Sequence, residues 1–183
     1  VRTKSTPRGA EAVRAALLAA AADLFAGRGP SHVSVREIAQ AAGVNHGLVH
    51  HYFGSKDALL RVVLDDLAAA SAIQVADWDG QSGLLDADGA VARHGRIVAH
   101  LLLEARNPAD VQTTFPAIDA LTSNLRSRGL GAREAAERAA AAAALVLGWQ
   151  LFAPFLERAA GLDGRDGFDA EVLGAGVRRL LTS

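Results

Sequence analysis

The 183-residue chain is expected to fold as an all-α protein. Three observations point there. Apolar residues recur at spacings of three and four along most of the sequence, two helix-start signals flank one glycine at Gly43, and the stretches between periodic segments are rich in Gly, Asp and Ser. Hydrophobic residues make up 50% of the chain, ample for a core, and the length allows one compact domain or a small one plus a larger one.

The first helix is expected from about Ala10 to Ala26, with Val13, Leu17, Ala21, Leu24 and Phe25 inward. Ser34 then offers an N-cap hydroxyl and Glu37, three residues on, can return the bond, with Val33 and Ile38 placed as a hydrophobic staple. Val35, Ile38, Ala39 and Ala42 form one buried stripe, and Gly43 ends the helix as a left-handed C-terminal residue. Asn45 is a second N-cap candidate, with Val44 and Val49 as its staple, so a new helix starts two residues past the glycine. The unit reads as helix-turn-helix. A longer helix is expected from Ser55 to about Val75, then a loop between Asp77 and Gly89. Val91, His94, Val98, Leu101 and Ala105 define the next amphipathic helix, stopped by Asn107 and Pro108. Another lies within Thr113 to Ser127, with Pro116 as a possible first residue. From Ala132 to about Ala160 runs an alanine-rich helix that Pro154 should kink, and a last helix spans about Phe168 to Leu181 after the Gly/Asp-rich loop from Gly161 to Gly167.

On the second helix of the helix-turn-helix, Leu48, Val49, Tyr52 and Phe53 gather on one side. Gly47, His50 and His51 fall opposite, flanked by His46. A glycine there lets backbone approach phosphates, and imidazoles can donate to phosphate or base-edge acceptors. The same face also fits a solvated structural hairpin.

These residues resemble the DNA-binding domain of the tetracycline-repressor (TetR) family of bacterial transcriptional regulators. Leu24, Phe25, Gly29, Ser34, Val35, Ile38, Ala39, Ala42, Gly43, Val44, Gly47, Tyr52, Phe53, Ser55, Lys56, Leu59 and Leu60 all match its pattern in register. The resemblance covers about Ala10 to Leu60, under a third of the chain. It implies an amino-terminal three-helix DNA-binding domain with helix-turn-helix, residues 1–54 with a basic arm. A larger helical ligand-binding and dimerisation domain, residues 55–183, would follow. It places Arg36 and Asn45 near the phosphate backbone, His46, Gly47 and His51 at the major groove, Lys56 on a phosphate and Ser55 as cap of the connecting helix. Leu48 departs from the pattern where a small hydroxyl residue is common, and His50 where the family usually has a phosphate-binding tyrosine. His50 could still donate to a phosphate, and histidine, unlike tyrosine, gains charge near neutral pH.

Charge follows the same division. Residues 1 to 61 hold eight basic side chains against four acidic ones, a balance of +4, so a chain of net charge −1 carries −5 in the remainder. A basic amino-terminal module on an acidic body suits a protein that meets DNA with one end. The opening VRTKSTPRG has no apolar period and reads as a mobile arm, equally suited to a minor groove or to remaining disordered.

Leu145, Trp149, Phe152 and Leu156 make an apolar stripe beside the six alanines from Ala139 to Ala144. By the resemblance, the last two helices pair with their copies in a homodimer, with Val172, Leu173, Val177, Leu180 and Leu181 as partners. A small molecule entering the carboxy-terminal domain would then switch binding to a palindromic double-stranded operator. Candidate ligand-binding residues are His94, His100, Phe115, Asn124, Trp149 and Phe152, which mix apolar walls with sparse polar groups; each also suits ordinary core. An apolar or amphipathic effector is expected, and the regulator is expected to be a repressor.

Other classes are weighed on their residues. His46 and His50 have the spacing of a metalloprotease helix, yet Gly47 stands where the general-base glutamate is needed. Zinc held by His46, His50 and His51, or a helical scaffold without a DNA role, is the alternative reading. GQSG from Gly80 lacks the final spacing of a dinucleotide loop, and DWDG and DADG read as turns rather than calcium loops. Zero cysteines excludes disulfides and thiol catalysis. No enzyme activity, metal or cofactor is expected. No apolar run is expected to reach membrane-spanning length and no amino-terminal signal peptide is seen, so a cytoplasmic protein without a membrane partner is expected.

Overall fold

The computed structural model describes residues 9–76, 86, 88–162 and 168–182. Among these the elements are α1 (Ala10–Arg28), a 3-10 turn (Pro30–His32), α2 (Val35–Ala42), α3 (Gly47–Phe53), α4 (Lys56–Ala76), α5 (Ala90–Leu103), a second 3-10 turn (Pro108–Asp110), α6 (Pro116–Ser127), α7 (Ala132–Ala159) and α8 (Ala170–Thr182). The basic arm at residues 1–8, the DWDG and GQSG stretches and most of the loop after Gly161 lie outside the described residues.

Two compact units emerge. The first runs through Asp66 and takes in Arg96–Thr113; the second holds Leu67–Gly95 and Thr114–Ser183. In the first, Leu17, Phe25, Ile38, Val49, Leu59, Leu60, Leu64, Ile97 and Leu101 are all fully buried. Burial of side chains this size contributes roughly 1.5–3 kcal/mol each before ordering entropy is subtracted.

In the second unit α7 packs against both α6 and α8. Ala135 and Ala139 meet Leu121, Leu125 and Leu130, while Ala142 and Val146 meet Val91 and Val177. Small alanines let these helices come close. Leu173 and Val177 of α8 are therefore core residues of their own unit, whereas Val172 is 63% exposed. Of the residues expected to pair between subunits, those two face inward.

The elements differ from expectation where backbone geometry departs from local signals. α1 runs on through Gly27 and Arg28 and stops at Gly29. α5 ends before Asn107, because Ala105 takes φ 55 and the Arg106 N–H turns back to the Leu101 carbonyl at 2.8 Å. α7 continues through Pro154. The expectation that no run reaches membrane-spanning length is corrected: α7 is long and apolar enough by composition, with mean hydropathy 1.7 over an 18-residue window. The alanines from Ala139 to Ala144 and the leucine, valine and phenylalanine residues between Leu145 and Leu156 together supply that value, and Ala139, Ala142 and Val146 pack within the unit.

Candidate nucleic-acid interface

The helix-turn-helix is held by complementary caps. The Ser34 hydroxyl accepts the Glu37 N–H at 3.2 Å, and Glu37 Oε2 accepts the Ser34 N–H at 2.8 Å and its hydroxyl at 2.7 Å. Arg28 closes the other side, donating to Glu37 Oε1 at 2.7 Å and to the His32 carbonyl at 2.8 Å. The Ser34 hydroxyl, then the Ser34 N–H and Arg28, hold the Glu37 carboxyl down from 4.5 to about 2. At the far end Gly43 is left-handed (φ 70, ψ 31); its N–H bonds to the Gln40 carbonyl and that of Val44 to the Ala39 carbonyl, the paired closure of a Schellman turn.

α3 starts from that turn. Asn45 Oδ1 accepts the Gly47 N–H at 2.9 Å, so Asn45 supplies the cap although His46 is the residue immediately before the helix. Val49 is buried, and Leu48, Tyr52 and Phe53 are half-buried. Asn45, His46, Gly47, His50 and His51 are exposed, the last four being the polar face expected from the wheel. Tyr52 meets the His51 ring edge-on at 5.0 Å. The Arg14 guanidinium of α1 lies 5.6 Å from the Phe53 ring, a cation–π contact that steadies the end of α3.

Two expected phosphate ligands have internal partners. Lys56 Nζ donates to the Pro30 carbonyl at 2.9 Å and the Val33 carbonyl at 3.1 Å, tying the start of α4 to the 3-10 turn. One of its three hydrogens remains. His50 Nδ1 lies 3.0 Å from the Gly54 carbonyl. Arg36 is exposed on α2, and Ser55 caps α4 through the Ala58 N–H at 3.0 Å.

The candidate ligand residues are distributed differently. His100 belongs to the first unit, where its ring packs close to Gly29; His94, Phe115, Asn124, Trp149 and Phe152 belong to the second. Trp149 is half-buried with Phe168 at 3.9 Å between ring centroids, while Phe115 is 46% and Phe152 56% exposed. A cavity of about 420 Å³ opens in the first unit, lined by Asp57, Arg61, Ala105, Arg106, Asn107, Asp110 and Val111. None of the six candidates lines it. Among the described residues no group of three or more His, Asp or Glu side chains is placed to hold a metal ion.

Arg14, Arg28, Ser31 and Glu104 escape a sequence reading. Their side-chain partners lie nine to 73 positions away, with no local pattern to connect them.

The family described as bacterial regulatory proteins, tetR family, matches residues 17–63. The HTH-type transcriptional repressor Rv3405c of Mycobacterium tuberculosis is 42% identical over 163 residues, 87% of this chain and 84% of the relative. Similarity thus extends well past the helix-turn-helix. Among solved structures, a transcriptional regulator of Rhodococcus sp. Rha1 aligns with TM-score 0.60 and 26% identity over 92% of this chain and 93% of its own. A tetR-family regulator of Streptomyces coelicolor aligns with TM-score 0.59 and 25% identity over 94% and 80%.

Proposed function

The chain belongs to the tetR family of bacterial regulatory proteins, and on that premise we propose a repressor that holds a palindromic operator as a homodimer until a small molecule releases it. That it is a helix-turn-helix DNA-binding regulator follows from the family; its relatives are transcriptional regulators, a non-enzymatic role. One observation carries the finer reading: α3 is capped by Asn45 and braced by Arg14, yet leaves Asn45, His46, Gly47, His50 and His51 exposed.

In this reading residues 1–54, joined by Lys56 at the start of α4, carry the DNA contacts, and residues 55–183 carry the effector and dimer functions. Arg36, the Asn45 amide hydrogens, His50 and the remaining Lys56 hydrogen address phosphates, while His46, Gly47 and His51 enter the major groove. The dimer is supported by a stripe on α7: Leu151, Phe152, Phe155 and Leu156 are exposed at helical spacing, joined by Val172 on α8. Two-fold symmetry would set the recognition helices about 34–36 Å apart, one turn of duplex. The half-buried Trp149 and Phe168 pair, with His94, Phe115 and Asn124 in the same unit, favours an apolar or amphipathic effector. Such a regulator works in the cytoplasm. The zinc-binding or scaffold alternative is not favoured by any of these relatives.

The test is selection of duplexes from a random library by the full chain, with sedimentation of protein and complex. Enriched palindromes bound by two chains support the reading. Failure to enrich any sequence, or a one-chain complex, overturns it.

A further inference from the structure

His50 differs from its neighbours in what it can do while neutral. Its Nδ1 sits 3.0 Å from the Gly54 carbonyl, and a carbonyl oxygen only accepts, so Nδ1 carries the proton. In the neutral ring the outward Nε2 is then a bare lone pair, able to accept but not to donate. Among the described residues neither His46 nor His51 has a side-chain hydrogen-bond partner fixing a tautomer. Either can meet an acceptor on DNA by choosing which nitrogen holds its hydrogen. His50 can do so only by taking up a second proton.

We propose that His50 is a proton-coupled contact: DNA binding draws a proton from solvent onto its Nε2, which then donates to an acceptor oxygen or nitrogen of the duplex. The inference rests on the reading of α3 as the DNA-facing helix. Charged and titratable groups on or next to α3 include His46 at its start, His51 and Tyr52 on the helix, Arg36 and Glu37 on α2, Arg14 of α1 over the Phe53 ring, and Lys56, Asp57 and Arg61 on the α4 segment that follows. Glu37 is already engaged by Arg28 and Ser34, and Asp57 by Arg106. Among the described residues no carboxylate bonds the His50 imidazole. The polyanion is therefore the partner that makes the cation favourable, and by linkage a site that gains a proton on binding weakens as pH rises.

Duplexes enriched by the full chain at pH 6.5 give the probe. Their affinity is measured at constant ionic strength from pH 6 to 8.5 for wild type, His50→Gln, His46→Gln and His51→Gln, with circular dichroism confirming that each folds. The wild type is expected to lose up to about tenfold per pH unit for each bound subunit on the alkaline side. His50→Gln should be flatter by that amount, while the other two keep the slope. Histidine-selective NMR of the wild type reads the same event without a variant: duplex should move His50 Nε2 to its protonated shift while Nδ1 stays protonated. A wild type without a pH slope, a His50→Gln that keeps the full slope, or an Nε2 that stays bare overturns the inference and leaves the DNA-binding reading intact. Failure to enrich any duplex overturns both.

Discussion

The backbone N–H and the hydroxyl of Ser31 both donate to the Glu104 carboxylate, at 3.3 and 2.5 Å, across 73 positions of sequence. The end of α5 thereby grips the 3-10 turn from which α2 departs, the turn whose Pro30 carbonyl Lys56 also holds. Gly29 makes the approach possible: at φ 82, a Cβ there would lie 2.9 Å from Glu104 Oε1 and 3.0 Å from His100 Nδ1. Ser31→Ala removes the hydroxyl bond alone and Glu104→Ala removes both, so urea denaturation should show losses of about 1 kcal/mol and about 1–2 kcal/mol respectively. In a double-mutant cycle Ser31→Ala should add little once Glu104→Ala has been made. Fully additive losses would show that the contact contributes nothing.

The cap of α2 gives stability an acid limb of known sign. Glu37 is depressed from 4.5 to about 2 in the folded protein, so its contribution is fully present above pH 4.5 and is lost as pH falls through about 2. Melting temperature should therefore decline between those values. Ser34→Ala removes the strongest cause of the depression and should flatten this limb, besides costing about 1 kcal/mol at neutral pH as a lost N-cap. An unchanged acid limb in Ser34→Ala would place the pH dependence elsewhere.

How far the sequence could be read follows from how local each determinant is. α2 and the turn to α3 were legible almost to the residue, because Ser34 and Glu37 stand three apart and a glycine supplies the left-handed turn at Gly43. The end of α5 was not, since Ala105 adopts φ 55 without the glycine that usually signals it. Helical stripes identify a buried face without naming its neighbour. Leu173 and Val177 thus suited a subunit interface as well as the intramolecular core where they lie, and Phe152 suited a pocket although it is 56% exposed. Lys56 matched a phosphate ligand by position, and its two carbonyl partners, 23 and 26 positions away, come together only in the fold.

Those partners change what Lys56→Ala should do. The salt slope of DNA binding should fall by roughly one unit if the remaining hydrogen serves a phosphate. Folding stability should fall as well, by about 1–3 kcal/mol, because a charged donor is withdrawn from two carbonyls. Chemical denaturation and salt titration of the same variant separate the two roles. A changed slope with unchanged stability would mean that the carbonyl contacts contribute nothing to the fold.

The proposed dimer is tested by comparing two apolar residues with opposite surroundings. Phe155 on α7 is 69% exposed in the single chain, so Phe155→Glu places its charge in water and should leave the helical fold and melting temperature of a monomer nearly unchanged. If α7 pairs with its copy, the same charge meets its symmetry mate in a desolvated interface, and sedimentation should show monomers that bind an enriched palindrome poorly. Leu173→Glu acts differently. Leu173 is 8% exposed within its own unit, so a buried unpaired carboxylate should unfold that unit at a cost of several kcal/mol, whatever the oligomeric state. Circular dichroism distinguishes the outcomes: loss of dimer with helix retained for Phe155→Glu, loss of helix for Leu173→Glu. A Phe155→Glu protein that still sediments as a dimer and binds the duplex as well as wild type would exclude the α7 stripe from the subunit interface.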